Sequence, residues 1–154
     1  MSLEEFKIID ASALPVGKLI TMIARGHTIY LNHHLEDIGI NASQLHLLFE
    51  ISHQKNINQE KIASRCNINK GAVARSIKKL EEKELVIREI DDENRRQNKV
   101  SITPKGNEIL KESVKLLKNW EEAVFDESII EKELLQKALK DIAIKTIELN
   151  QKGE

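Results

Sequence analysis

Two stretches of this sequence hold cationic side chains with no acid between them. Asn69–Leu80 contains four bases, Lys70, Arg75, Lys78 and Lys79, and Asn94–Lys105 contains four more, Arg95, Arg96, Lys99 and Lys105. Such runs suit contact with a polyanion. Lysines neutralise phosphates, whereas arginine and serine can also hydrogen-bond base edges. The expected division is Arg75 and Ser76 on bases, with Lys70, Lys78 and Lys79 on phosphates. Gly71, Ala72 and Ala74 are small enough for a backbone to approach a groove closely. The adjacent Arg95 and Arg96, with Lys99 beyond them, suit a narrow minor groove, whose negative potential draws guanidinium groups. The plainer alternative is a solvated, phosphate-free surface.

These residues need two elements to position them. Val73, Ile77 and Leu80 recur at the spacing of one buried helical stripe, and Asn69 is a favourable N-cap. The spacing therefore predicts a helix whose outer face carries the bases. Leu85–Ile90 and Lys99–Thr103 read as two strands joined by the polar tip Asp91–Asn98, which is too polar to pack and is expected to be mobile. Upstream, Asn58 caps a short helix with Ile62, Ala63 and Cys66 turned inward. Asn67 takes the turn position, where a left-handed backbone is tolerated. Helix, turn, helix, strand, tip, strand is the order of a winged helix-turn-helix, a DNA-reading module.

The chain has 154 residues, 32% of them charged and 40% apolar, with net charge −1. This bounds it to one compact domain or a domain with appended helices. Overall charge does not advertise nucleic acid, but its distribution does: the two stretches carry +8, leaving −9 elsewhere. A molecule so polarised is oriented as it nears a polyanion. No apolar run is long enough to span a membrane and no signal peptide is evident, so a cytoplasmic protein is expected. The single cysteine excludes an internal disulfide.

The flanks read as helices. Residues 1–13 look like an irregular arm, and Pro15 should open a long helix with Val16, Leu19, Ile20, Ile23, Tyr30, Leu31 and Leu35 as its stripe. Asn41 with Gln44 forms a capping box for Ala42–His53. Thr103–Pro104 reads as N-cap and first residue of a helix to about Phe125, and Ser128 with Glu131 as the box opening a last helix to about Asn150. The outer helices carry more apolar stripe than one small module covers. The expected organisation is therefore a helical dimerisation region, residues 1–38 and 104–154, around a winged helix-turn-helix, residues 39–103. The fold class is mainly α with a small β-wing. An intramolecular bundle beside a monomeric reader is the alternative. Two-fold pairing would set two reading helices roughly 34 Å apart on a palindromic site.

IASRCNINKGAVARSIKKLEEKELV resembles the helix-turn-helix stretch of the multiple-antibiotic-resistance regulator (MarR) family. DDENRRQNKVSITPKG is similar to that family's wing, with Thr103 and Gly106 as its Thr-x-x-Gly. Two departures stand out: Asn94 replaces an Asp two before Arg96, and Glu84 replaces a Gly after the reading helix. The resemblance implies a homodimeric repressor or activator on double-stranded DNA. It also implies release by a small, often aromatic, anionic effector near the junction of platform and reader. There Arg25 would hold a carboxylate, with His27 and Tyr30 as an aromatic wall; simple packing is the other reading of these three.

Relatives that sense zinc make His33, His34, Glu36 and Asp37 a candidate cluster, hence a zinc-responsive regulator as an alternative. Adjacent helical residues point about 100° apart, however, so no metal site is expected from them. Cys66 lies on an apolar stripe and reads as a structural thiol. No nucleophile elbow, phosphate-cradling loop, zinc-hydrolase pair or Rossmann fingerprint occurs, so neither an enzyme nor a cofactor is expected. A winged helix that binds only protein is the remaining alternative.

Overall fold

A computed structural model of the protein describes residues 1–151. Seven α-helices and a three-stranded sheet follow in chain order among them. Helix α1 (Leu3–Ile8) is closed by a Ser2–Glu5 capping box. The N-terminal arm is therefore not irregular: Ser2 and Glu5 satisfy each other's free backbone donors, and a 3-10 turn at Ala11–Ala13 follows. Helix α2 (Val16–Leu35) starts one residue after Pro15, which is its N-cap rather than its first residue. After α2 a 3-10 turn ends at Gly39, whose φ of +73° suits glycine.

Helix α3 (Ala42–Ser52) opens with the expected Asn41–Gln44 box. Strand β1 (Ile57–Asn58) then leads into α4 (Gln59–Cys66), capped by Asn58 as expected. Asn67 turns the chain at φ +50°, and α5 (Lys70–Glu82) follows. The wing is β2 (Val86–Ile90) against β3 (Asn98–Ile102), in the order β1-β3-β2, all antiparallel. Strand β1, two residues paired Ile57 to Val100 and Asn58 to Lys99, was not anticipated. A two-residue strand is too short to carry an alternating pattern.

Helix α6 (Pro104–Val124) begins at the expected proline, with Thr103 Oγ1 accepting the Gly106 amide at 3.0 Å. Helix α7 (Lys132–Gln151) does not use the expected Ser128–Glu131 box. Asp126 takes Ser128 instead, accepting from both its amide at 2.9 Å and its hydroxyl at 2.6 Å. An ordered turn thus precedes α7.

The described chain forms two compact units that divide within α6. Residues 1–117 contain the buried core: Leu31 and Leu35 of α2, Leu45, Leu47, Leu48 and Ile51 of α3, Ile62 of α4, Val73, Ile77 and Leu80 of α5, and Val86 and Val100 of the wing. Each fully buried aliphatic contributes about 1.5–3 kcal/mol. The N-terminal half of α2 is different, with Val16 61% and Ile23 58% exposed. In the unit from residue 118 onward, α7 has no buried residue, and Leu134, Leu139, Ile142, Ile147 and Leu149 are exposed.

Glu84 closes the loop after α5 at φ +59°, a left-handed conformation that costs a non-glycine residue about 1–2 kcal/mol. Its carboxylate meets Lys105 only at 3.5 Å, and both side chains are exposed, so little offsets that cost. Glu84→Gly should raise stability by about 1 kcal/mol, seen as a higher urea midpoint at unchanged slope. A lower midpoint would mean that the Glu84 side chain supports the loop.

Candidate nucleic-acid interface

Helix α5 is held from below by Val73, Ile77 and Leu80, each fully buried, and its start by Asn69 Oδ1 accepting from the Gly71 amide at 2.8 Å. At about 100° per residue, Gly71, Arg75 and Lys78 fall opposite that stripe. Lys70 and Ala74 fall on one flank, and Ala72, Ser76 and Lys79 on the other. Gly71, Arg75, Lys78 and Lys79 are exposed, while Ala72 and Ser76 are half-buried.

The Lys70 flank faces the wing across a groove of about 550 Å³, with Glu60, Lys70, Gly71 and Ala74 on one side and Arg96 and Gln97 on the other. A Cβ built on Gly71 would lie 3.4 Å from Arg75 Nη1 and 3.1 Å from Asn69 Oδ1, so the Arg75 guanidinium passes close over the glycine. Arg75 and Arg96 therefore share one side of the reader. The opposite flank opens on a second groove of about 630 Å³, where Lys79 and Lys83 stand with Glu36 and Glu82. Lys79 thus sits in mixed charge, away from the wing.

The wing tip is more ordered than its composition suggests. Asp91 is buried, and its Oδ1 accepts the Glu93 amide at 3.0 Å and lies 3.1 Å from Lys99 Nζ. The Lys99 contact holds the Asp91 carboxyl below the usual carboxylate range, and Asp91 in turn pushes Lys99 up. Asp91 N–H donates to the Gln97 carbonyl at 3.0 Å, and Gln97 N–H to that of Asn94 at 2.8 Å. Asn94 Oδ1 accepts from the Arg96 amide at 3.3 Å, so it fixes the backbone of Arg96 rather than its guanidinium.

Cations expected to meet phosphate therefore differ. Lys99 is tied to Asp91, and Lys70 is ion-paired to Glu60 of α4. Arg75, Lys78, Lys79, Arg95 and Arg96 are in no ion pair among the described residues. Glu60 was not anticipated: besides holding Lys70 it accepts from Gln97 Nε2, and Lys70 keeps its carboxyl below the ordinary value. Gln59 Oε1 adds a bond from Asn98 Nδ2 at 3.3 Å. Partners of Glu60 lie ten and thirty-seven residues away in sequence, with no local signal to mark them.

Of the residues expected at an effector site, His27 and Tyr30 are half-buried on α2 and Arg25 is exposed. Helical spacing puts His27 and Tyr30 about 60° apart but Arg25 about 140° or more from both, so α2 does not bring the three to one side. Tyr30 instead packs against His34 with the rings tilted by 40° and their centroids 4.2 Å apart, and His34 Nδ1 lies 2.8 Å from the Tyr30 carbonyl oxygen. His33 and His34 meet edge to face at 5.5 Å, and no group of three His, Cys, Asp or Glu gathers for a metal among the described residues. Burial pushes the half-buried Cys66 thiol up, against the direction a reactive thiolate needs. No helix among the described residues is long and apolar enough to cross a membrane.

The MarR family model matches residues 40–97, which run from the start of α3 to the end of the wing tip. An HTH-type transcriptional regulator of Bacillus subtilis, YdgJ, is 36% identical over 77 residues, 50% of this chain and 47% of its own length. The chain thus spans about half the length of that curated relative. A crystal structure of MarR superposes with TM-score 0.83 at 27% identity, covering 94% of this chain and 98% of that one. S. aureus MepR in complex with DNA shares the fold, with TM-score 0.74 at 19% identity over 88% of this chain and 98% of its own. Family model, relative and solved structures agree with the winged helix built above: residues 40–97 match the MarR family model, and the chain is similar in fold to MarR.

Proposed function

We propose that this chain is a homodimeric, sequence-specific DNA-binding transcriptional regulator. The observation that carries the reading is the side shared by Arg75 and Arg96, two guanidinium groups without an acidic partner among the described residues, one on a helix narrow enough for the major groove and one on a wing tip beside it. In this reading α5 enters the major groove with Arg75 and Ser76 toward base edges, flanked by Lys78 and Lys79 on phosphates. Arg95 and Arg96 reach the adjoining minor groove. The solved complex of MepR with DNA, a protein of the same fold, supports DNA binding by analogy.

The second copy follows from what one copy leaves uncovered. Helix α7 has no fully buried residue, and an isolated helix of 20 residues is marginal in water. Its exposed apolar residues and, separately, the exposed Val16, Ile20 and Ile23 of α2 are each offered to the second copy, outside the reader of residues 39–103. Pairing spaces the reading helices for a palindromic operator. Release by a small anionic aromatic effector is the regulation that fits the family. His27 and Tyr30 would line its slot, and Arg25 would have to reach it from another side of α2 or from the second copy.

Titrating a random duplex against salt tests DNA binding directly. A fall in log affinity of about 0.9 per contacted phosphate for each unit of log salt supports it. Absence of binding, or binding indifferent to salt, would instead favour a protein-binding winged helix. Arg96→Ala should cost about tenfold on operators with A·T-rich flanks and less on G·C-rich ones, read by competition on matched duplexes. Equal losses on both would place Arg96 on phosphate alone.

A further inference from the structure

We infer that Glu60 is a specificity-determining residue: its carboxylate occupies Lys70 at the mouth of the reading helix and so withholds one cation from indiscriminate phosphate contact. The inference rests on the DNA-binding reading above and adds to it a control on selectivity.

The geometry is a three-element junction. Glu60 projects from the first turn of α4, Lys70 is the first residue of α5, and Gln97 closes the wing tip. One carboxylate oxygen of Glu60 holds the Lys70 ammonium, and the other accepts from the Gln97 side-chain amide. Both Glu60 and Lys70 are well exposed, so the pair is screened and weak enough for DNA to compete with it. It nevertheless lies in the groove between Gly71 and Arg96, on the side where a duplex backbone would run.

A phosphate arriving there meets a neutralised lysine and a nearby negative carboxylate. On any duplex the pair therefore removes one counterion-releasing contact per protomer. On a fitted site, contacts by Arg75 and Ser76 lock the helix and hold the phosphate where Lys70 can exchange Glu60 for it. Non-specific affinity falls more than specific affinity, and the ratio between them rises.

Glu60→Gln tests this with little risk to the fold, since it keeps the shape and an oxygen for Gln97. Binding of the full-length protein to a random duplex and to its selected operator is measured from 50 to 200 mM salt, in wild type, E60Q, K70M and the double variant. The expected result for E60Q is a random-duplex slope steeper by about 0.9 per protomer, which over that salt range is roughly a threefold change for each contact. Random-duplex affinity at low salt should rise about three- to tenfold, with a smaller gain on the operator. In the Lys70→Met background, Glu60→Gln should leave the slope unchanged.

An equal rise with and without Lys70 would mean simple removal of a repelling charge and would overturn the proposal. An unchanged slope in E60Q would overturn it too, while leaving DNA binding intact. Failure of the wild type itself to bind duplex would remove both this proposal and the reading beneath it.

Discussion

Gly106→Ala will lower the stability of the protein by about 3 kcal/mol, at the upper end of overpacking costs. For a chain of this size that is roughly 6–12 °C in the unfolding midpoint. A Cβ at this position would lie 2.2 Å from the Leu85 carbonyl oxygen and 2.7 Å from Ile102 Cγ1. Neither neighbour can yield cheaply. The Leu85 carbonyl accepts the Thr103 amide at 3.1 Å, and the Leu85 amide donates to the Leu80 carbonyl at 3.0 Å, so moving it strains both the end of α5 and the root of the wing. Thr103 locks the same corner, donating its hydroxyl to the Glu84 carbonyl at 2.7 Å while accepting from Gly106 N–H. The Thr-x-x-Gly spacing is thus a backbone crossing: threonine caps α6, and only glycine lets that helix pass the chain leaving α5. Thermal denaturation checks the size of the effect. A midpoint within 2 °C of wild type would show that α6 can slide away, and the close approach would not be a requirement of the fold.

Arg75→Ala carries the largest expected effect on binding. A well-placed arginine contact to a base edge is worth about 1–3 kcal/mol, so affinity for the selected operator should fall roughly 5- to 150-fold. Affinity for random duplex should fall less, with a salt slope shallower by about 0.9, the share of one lost phosphate contact. Arg75 is expected to discriminate because it stands opposite the buried stripe of α5, over Gly71, with no carboxylate within ion-pairing reach among the described residues. Lys79→Ala supplies the contrast. Lys79 lies on the flank away from the wing, beside Glu36 and Glu82, so its loss should weaken all duplexes alike and only modestly. Competition binding on operator and scrambled duplexes separates the two variants. Equal losses on both duplexes for Arg75→Ala would turn the outer face of α5 from base reading to phosphate contact.

Where the chain announces its own structure, it does so through local chemistry. Asn41, Asn58 and Asn69 cap helices because their side chains reach amides two or three residues on, a geometry visible in sequence. Thr103 opens α6 for the same reason, and Asn67 takes a left-handed turn because asparagine tolerates that backbone. Periodicity revealed the stripe of α5 and hence which side chains face out. Partners distant in sequence were not legible. Asp91 reads as tip residue by its polarity, yet it is buried because Lys99, across the hairpin, compensates it. Glu60 reads as solvated helix, yet it joins α4, α5 and the wing. Strand β1 exists only because Val100 and Lys99 are there to pair with it. Ser128 does not cap α7; its amide and hydroxyl both donate to Asp126 in the turn that precedes it. The cationic surface could therefore be found from composition, but which of its members are already engaged could not.

The most direct measurement is selection of bound duplexes from a random pool by the full-length protein. A palindromic consensus with half-site centres one helical turn apart, about 10–10.5 base pairs, is the expected result, since it requires both the reading helix and a two-fold partner. Enrichment of no sequence, or of a single unpaired half-site, would contradict a dimer that reads DNA through Arg75 and Arg96.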